Sequence, residues 1–377
     1  VSPKDKGVLD TPLSKLKDQM IRGFLSVVVV VTTACQLTVE QEVVFDLPPS
    51  VPVMDIPSDN PTTAEGISLG RMLFYDPILS ADSSQACADC HFQDLAFTDA
   101  LSKSKGALGV EGSRSAMSLA NVGLYYDGLF WDGRVKSLEE QSLHPITDPK
   151  ELAGDWSEIL PRFRQNQTYL QRFEAAFGLK EAEAIQPHHI ARSLAQFERS
   201  LLSFDSKFDR VQRGEAEFTL SELRGWSIFF DANPDLPMAE CNHCHIDPLF
   251  SNLKYENNGL QHLDENGHYP DNGREVVSGR ASDRGKFRVP TLRNITLTAP
   301  YMHNGSLATL EEVLDHYNSG GHYGLTVSPN VRPLSLSAED KADLLAFLNT
   351  LTDSTFINNE AFSNPFLDET MEKYPVN

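Results

Sequence analysis

Cys87-Ala88-Asp89-Cys90-His91 and Cys241-Asn242-His243-Cys244-His245 repeat one five-residue pattern, Cys-x-x-Cys-His. That pattern is the attachment signature of a c-type haem. Two thiols at this spacing reach the two vinyl groups of the porphyrin, and the adjoining imidazole is held beneath the iron. Two covalent haems are therefore expected, carried by Cys87, Cys90, Cys241 and Cys244, with His91 and His245 as proximal iron ligands. A four-thiolate zinc site or a thioredoxin-like dithiol also uses Cys-x-x-Cys, but neither needs a His after both second cysteines. Four of the five cysteines are consumed by the two motifs, and Cys35 alone is left over. There is little material for a disulfide framework.

The 154 positions between His91 and His245 leave room for each motif to sit in a helical unit of cytochrome size. The chain of 377 residues is 40% hydrophobic, enough for packed cores. The expected fold is mainly α, with two cytochrome c-like helical domains, each around one covalently bound haem. Residues 62–214 would form the first haem domain and 215–355 the second. A Pro-rich leader at 45–61 precedes them and a tail at 356–377 follows. Ile190, Leu194, Phe197 and Leu201 recur at helical spacing between Pro187 and Phe204. Further helices open at Thr219-x-x-Glu222, at Thr309-x-x-Glu312 and near Ser337. The second of these turns Leu310, Val313, Leu314 and Tyr317 to one face. Gly, Asn and Asp crowd residues 252–285, which read as a long ordered loop.

A formal net charge of −21 repels phosphate backbones, so nucleic acid is excluded as a partner class, and a basic protein or a small neutral substrate fits better. Near the start, Arg22 precedes the apolar run from Phe24 to Val31, and then Thr32-Thr33-Ala34-Cys35. Charged, apolar and small-residue segments in that order make an export signal, placed here at 1–44, and the run is too short to span a bilayer. Small residues before Cys35 also resemble a lipoprotein cleavage site, so a lipid anchor at Cys35 stands beside plain export. Either way the expected location is the periplasm, where haem is attached to such motifs.

Three further stretches carry a family resemblance: Leu129-Phe130-Trp131-Asp132-Gly133-Arg134, Val289-Pro290-Thr291-Leu292-Arg293-Asn294 and Thr298-Ala299-Pro300-Tyr301-Met302-His303-Asn304-Gly305. With the two haem motifs they resemble the bacterial dihaem cytochrome c peroxidase and MauG family, from about residue 55 to residue 352. The resemblance implies a first haem that meets hydrogen peroxide and a second that transfers electrons. It implies a distal set of Gln141, Pro145 and Glu151, ten, fourteen and twenty positions after Trp131. Glu151 would carry the proton in O–O cleavage, as a carboxylate there suits the chemistry. Trp131 would relay electrons between the haems. Tyr317, nineteen residues after Thr298, would be the sixth ligand of the second haem, with Met302 or His303 as alternatives; otherwise His303 contacts a propionate or orders its loop. Calcium is implied between the domains, on Thr298 and Pro300 carbonyls and on the position of Ser115, where relatives carry Asn.

Two departures bear on mechanism. Many relatives hold a switching His over the first haem, and residues 104–115 contain none, which resembles the MauG branch and implies a site open without reductive activation. The surface Trp through which MauG oxidises its protein substrate is Ala239 here. The leading expectation is an exported peroxidase fed by a small cytochrome c or cupredoxin. One alternative is MauG-like oxidation of Trp or Tyr on a partner protein with both haems in high-valent form, and another is a non-catalytic dihaem electron carrier. A homodimer is among the expected assemblies.

Overall fold

The computed structural model describes residues 42–367. Most of the expected export region, Cys35 included, lies outside the described residues. Within them the helices are α1 (Ala64–Tyr75), α2 (Leu138–Thr147), α3 (Trp156–Arg164), α4 (Gln167–Phe177), α5 (Pro187–Ser200), α6 (Lys207–Gln212), α7 (Leu220–Phe229), α8 (Glu275–Ser278), α9 (Leu310–Ser319), α10 (Ala338–Asn349) and α11 (Ser354–Ile357). Two strands of two residues, β1 (Tyr255–Glu256) and β2 (Phe287–Arg288), pair antiparallel. The fold is mainly helical, as the 3.6-residue periodicity indicates. No helix among the described residues is long and apolar enough to cross a membrane.

Local chemistry sets the helix ends. Pro187 begins α5, where a missing N–H costs nothing, and Ile190, Leu194 and Phe197 are buried along one face. Thr219 and Glu222 exchange side-chain to backbone hydrogen bonds at the start of α7, and Ser337 and Asp340 do so at α10. At α9 the Thr309 hydroxyl accepts the Glu312 N–H, but the Glu312 carboxylate takes the N–H of Ala308 instead. The stretch 252–285 is mostly irregular, interrupted by β1 and the single turn of α8.

Two hydrophobic cores result. One gathers Leu69, Phe74, Phe97, Phe163, Phe173 and Phe197 from α1 to α5, and the chain returns to it through Phe356 and Phe362. The other gathers Phe208, Phe229, Phe250, Leu344 and Phe347. The same device closes each pair of long helices. A Cβ on Gly70 of α1 would lie 1.9 Å from the Ser193 carbonyl of α5, and a Cβ on Gly225 of α7 would lie 1.9 Å from the Asp343 carbonyl of α10. Only glycine permits such an approach.

The likeness of the halves extends to their loops. A bridge between Leu129 and Val135 is followed by the Ser137 cap of α2, and a bridge between Tyr301 and Leu307 is followed by the Thr309 cap of α9. Phe130 and Met302 both take left-handed backbone, at φ of 61° and 76°. In this shared register Trp131 corresponds to His303, and Pro145 to Tyr317.

Gly225→Ala should lower stability by roughly 1–3 kcal/mol through overpacking of α7 on α10. Thermal unfolding of the holoprotein reads this, and an unchanged midpoint would show that the helices separate freely.

Candidate active site

Both Cys-x-x-Cys-His motifs form a single tight helical turn followed by a loop that fixes the imidazole. The Nδ1 of His91 bonds the Phe97 carbonyl at 2.7 Å, and the Nδ1 of His245 bonds the Phe250 carbonyl at 2.9 Å. Phe97 and Phe250 are both buried and left-handed, which aims each carbonyl at its ring. Nε2 is thereby left as the metal-facing nitrogen of a neutral imidazole. Burial favours that neutral form, lowering His91 below the usual range and bringing His245 down to about 4. The thiols are unbridged, and burial pushes Cys90 and Cys244 up to about 11. A reactive dithiol or a zinc thiolate needs the opposite shift. Among the described residues, no metal-like cluster of three or more His, Cys, Asp or Glu contains a cysteine.

The second motif opens into an apolar cleft of about 1330 Å³ counting its open mouth, lined by Cys241, Cys244, His245, Trp131, Met302, His303 and Tyr317. Two thiols, a ring nitrogen held from behind and a large apolar chamber fit a covalent haem. Tyr317 enters from α9, with Leu310, Val313 and Leu314 along the same wall. Its hydroxyl accepts from Asn258 Nδ2 at 3.4 Å, and the same nitrogen donates to Met302 Sδ at 3.2 Å. Burial pushes the phenol up to about 12, with Asn258 pulling the other way. His303 is 4% exposed, stacks on Phe287 at 3.6 Å and meets Gln261 Nε2 at 2.8 Å through its own Nε2.

A thin wall separates this cavity from a smaller one. Trp131 donates its indole N–H to the Ser115 carbonyl at 2.9 Å, and the Ser115 hydroxyl donates to the Met302 carbonyl at 2.8 Å. Trp131 and Met302 line both spaces. Ser115, Thr298 and Pro300 line the smaller one together, so the residues implied for calcium converge.

Gln141 and Pro145 stand one turn apart on α2. The following turn folds back, with Leu152 N–H donating to the Pro145 carbonyl at 3.0 Å, which brings Glu151 beside the end of the helix. Burial raises the Glu151 carboxyl above the usual range; Asp148 adds to the rise and Arg134 opposes it. Its charge is felt by both Cys87 and Cys90. The loop without histidine covers this turn, with Ala107 N–H donating to the Glu151 carbonyl at 2.8 Å. Gly106 is required there, since a Cβ would lie 2.4 Å from the carbonyls of Lys150 and Glu151.

Comparison with known proteins agrees with this geometry. The profile of the di-haem cytochrome c peroxidase family matches residues 64–217. Cytochrome-c peroxidase IdrP1 of Pseudomonas sp. (strain SCT) is 34% identical over 81% of this chain and 85% of its own length. The chain belongs to the dihaem cytochrome c peroxidase family. Methylamine utilization protein MauG of Methylorubrum extorquens is also 34% identical, over 81% of this chain and 83% of its own. A crystal structure of a MauG-like protein associated with microbial copper homeostasis superposes with a TM-score of 0.77 at 39% identity, covering 85% of this chain and 99% of that one. This dihaem peroxidase-family protein is thus an oxidoreductase of the peroxidase type, and its family implies two haem c groups.

Asn258 and Phe287 border the larger cavity and Gln261 contacts its wall residue His303, and none of the three was legible as a site residue. Asn258 precedes Gly259 and reads as turn punctuation. Asp231, Glu240 and His243 also converge beside the second motif, with His243 Nδ1 3.0 Å from Glu240 and 4.0 Å from Asp231. Arg332 completes this group through Glu240, and the cluster reads as an ion-pair network.

Glu198 on α5 is another buried carboxyl in the first half, with Oε2 unpartnered. Burial pushes it up to about 8, opposed by Arg199 and assisted by Glu139. The native state therefore keeps a proton that the unfolded chain releases above its ordinary value of 4.5. Its contribution to stability is complete below that value and falls as pH rises towards about 8. Glu198→Gln should flatten the dependence across this window in urea titrations, and an unaltered slope would place the titration elsewhere.

Proposed function

We propose that this protein reduces hydrogen peroxide at the His91 haem, using electrons delivered one at a time through the His245 haem from a small cytochrome c or cupredoxin. Bound at these sites, haem supplies iron that takes up peroxide and passes electrons. Glu151 takes a proton from the near oxygen and returns one to the leaving oxygen; two electrons and two protons convert one peroxide into two waters. The observation that carries this reading is the raised carboxyl of Glu151, held beside Pro145 and under a loop with no histidine.

The internal register of the two halves supports the same division of labour. Pro145 has no ligand atom, so no side-chain donor at that place would compete with an oxidant in the first half. Tyr317, at the corresponding place on α9, would help to hold the second haem through its phenol oxygen. Gln141 orients the oxidant, and Trp131 is the relay, its indole fixed in the wall between the cavities. His303 is buried and neutral, pulled down to about 4, which suits it to hold the wall of the second site. Thr298 and Pro300 carbonyls would hold calcium, while the Ser115 hydroxyl is already committed to Met302. Export to the periplasm, with or without a lipid at Cys35, completes the reading.

Tyr317 favours a second reading, MauG-like oxidation of a Trp or Tyr on a partner protein, because an oxygen ligand stabilises oxidised iron. Against it, Ala239 is 4% exposed and lines the cavity where MauG carries its exit Trp.

Glu151→Gln should retain both haems and lose roughly 100-fold or more in peroxide turnover with reduced cytochrome c. Stopped-flow assays measure this. Wild-type turnover in the variant overturns the assignment, and modification of an added partner protein without cytochrome c oxidation selects the second reading.

A further inference from the structure

Two ligand-capable atoms share one amide in the larger cavity. Asn258 Nδ2 lies 3.4 Å from Tyr317 Oη and 3.2 Å from Met302 Sδ. An amide nitrogen carries two hydrogens, so both contacts form at once. This amide is not free to turn away. Its Oδ1 accepts the Leu260 N–H at 3.2 Å, and the Asn258 carbonyl pairs with His316 Nε2 at 2.9 Å, one residue before Tyr317 on α9.

Met302 is also held under constraint. A φ of 76° is costly for a long side chain, and such strain persists where surrounding contacts enforce it. Here the Met302 carbonyl is gripped by the Ser115 hydroxyl at 2.8 Å and by the Gly305 N–H at 3.1 Å. The corresponding position of the first half is Phe130, a ring with no ligand atom, covered by the Arg134 guanidinium at 3.6 Å. The sulfur is peculiar to the half that also carries Tyr317.

We propose that Tyr317 and Met302 are alternative sixth ligands of the second haem, and that Asn258 chooses between them by donating to the Tyr317 oxygen while occupying the Met302 sulfur. The proposal rests on the reading of Tyr317 as that haem's ligand. A donor on the phenol oxygen anchors it and stabilises its charged form, whereas a donor on the thioether engages the lone pair that a metal would use. Without the amide, Tyr317 loses its anchor and Met302 its competitor, and the balance moves towards sulfur. Thioether ligation raises the haem potential, so the choice sets the reducing power of the centre. Asn258 acts through both ligands and is a positioning residue.

The test is low-temperature electron paramagnetic resonance with spectroelectrochemical titration of the dihaem holoprotein, comparing wild type with Asn258→Leu, Tyr317→Phe and Tyr317→Phe/Met302→Leu. Asn258→Leu should convert part of the second haem's low-spin signal to that of a His/Met pair and shift its midpoint upward. Tyr317→Phe should complete the conversion, and adding Met302→Leu should abolish the His/Met signal. If Tyr317→Phe leaves the wild-type signal in place, the ligand reading itself fails. If Tyr317→Phe alters the signal but the double variant matches it, Met302 is no alternative ligand. If Asn258→Leu keeps the wild-type signal and midpoint, Asn258 does not choose. The Tyr317→Phe pair stays decisive should Asn258→Leu fail to accumulate with both haems.

Discussion

Everything in the site depends on a buried lock between the two halves. Asn121 exchanges two hydrogen bonds with the backbone of Ser203, at 2.9 and 3.2 Å, and the Ser203 hydroxyl donates to Asp353 at 2.9 Å. Asn294 closes the circuit, donating to Ser203 Oγ at 3.0 Å and accepting the Asp353 N–H at 2.8 Å. All four residues are at most 1% exposed, so each unmade bond would leave a buried polar group without a partner. Both asparagines take the left-handed conformation at φ 60°, which that residue type tolerates better than most. Because Asn121 leads towards the Trp131 hairpin and Asn294 towards the Met302 hairpin, the lock sets the spacing of the wall between the cavities.

A duplicated framework of this kind earns its use from the places where the copies differ. The glycine contacts at Gly70 and Gly225, the Nδ1 bonds of His91 and His245, and the capped helices α2 and α9 are common to both halves. At corresponding positions one copy has Pro145 and the other Tyr317; one has Trp131 and the other His303. The first pair sets a side chain without a ligand atom against one with a phenol oxygen. The second puts a redox-active indole in the wall and, across from it, a neutral imidazole at a ring separation of 6.5 Å. The two halves thus differ by a handful of side chains on one scaffold, and the proposed division of chemistry and electron transfer rests on those differences.

Much of this was legible because the decisive signals are short and local. The haem motifs need no tertiary information, and capping residues at Thr219, Thr309 and Ser337 located three helices. The grouping of Gln141, Pro145 and Glu151 came from family spacing alone, and the fold brings Glu151 beside Pro145 through the turn after α2. What stayed hidden depends on long-range contacts. Asn258 lies 59 positions from Tyr317 and 44 from Met302, so no local pattern links them. Gln261 meets His303 across 42 positions in the same way. Residues 252–285 read as loop because their Gly and Asn content is high, yet this loop supplies the polar contacts of the second cavity. The 172-residue register between hairpins also escapes inspection, since Leu129–Val135 and Tyr301–Leu307 share backbone shape and almost no side chains.

The surface and the interior of the protein obey opposite electrostatic rules. The chain carries a net charge of −21, yet around the Cys-x-x-Cys-His motifs burial favours neutral imidazoles, disfavours thiolates and displaces Glu151 towards its acid form. Burial is the leading cause in each case, so the two environments share one origin: the apolar walls that a porphyrin needs also exclude the water that would stabilise charge. A carboxyl with a raised pKa in such a place gives and takes a proton at modest driving force, which a solvated carboxylate on the acidic surface does not. The abundance of Asp and Glu in this chain is therefore no guide to catalysis. Position against the α2 turn, beneath a loop that lacks histidine, gives Glu151 the burial that raises its carboxyl.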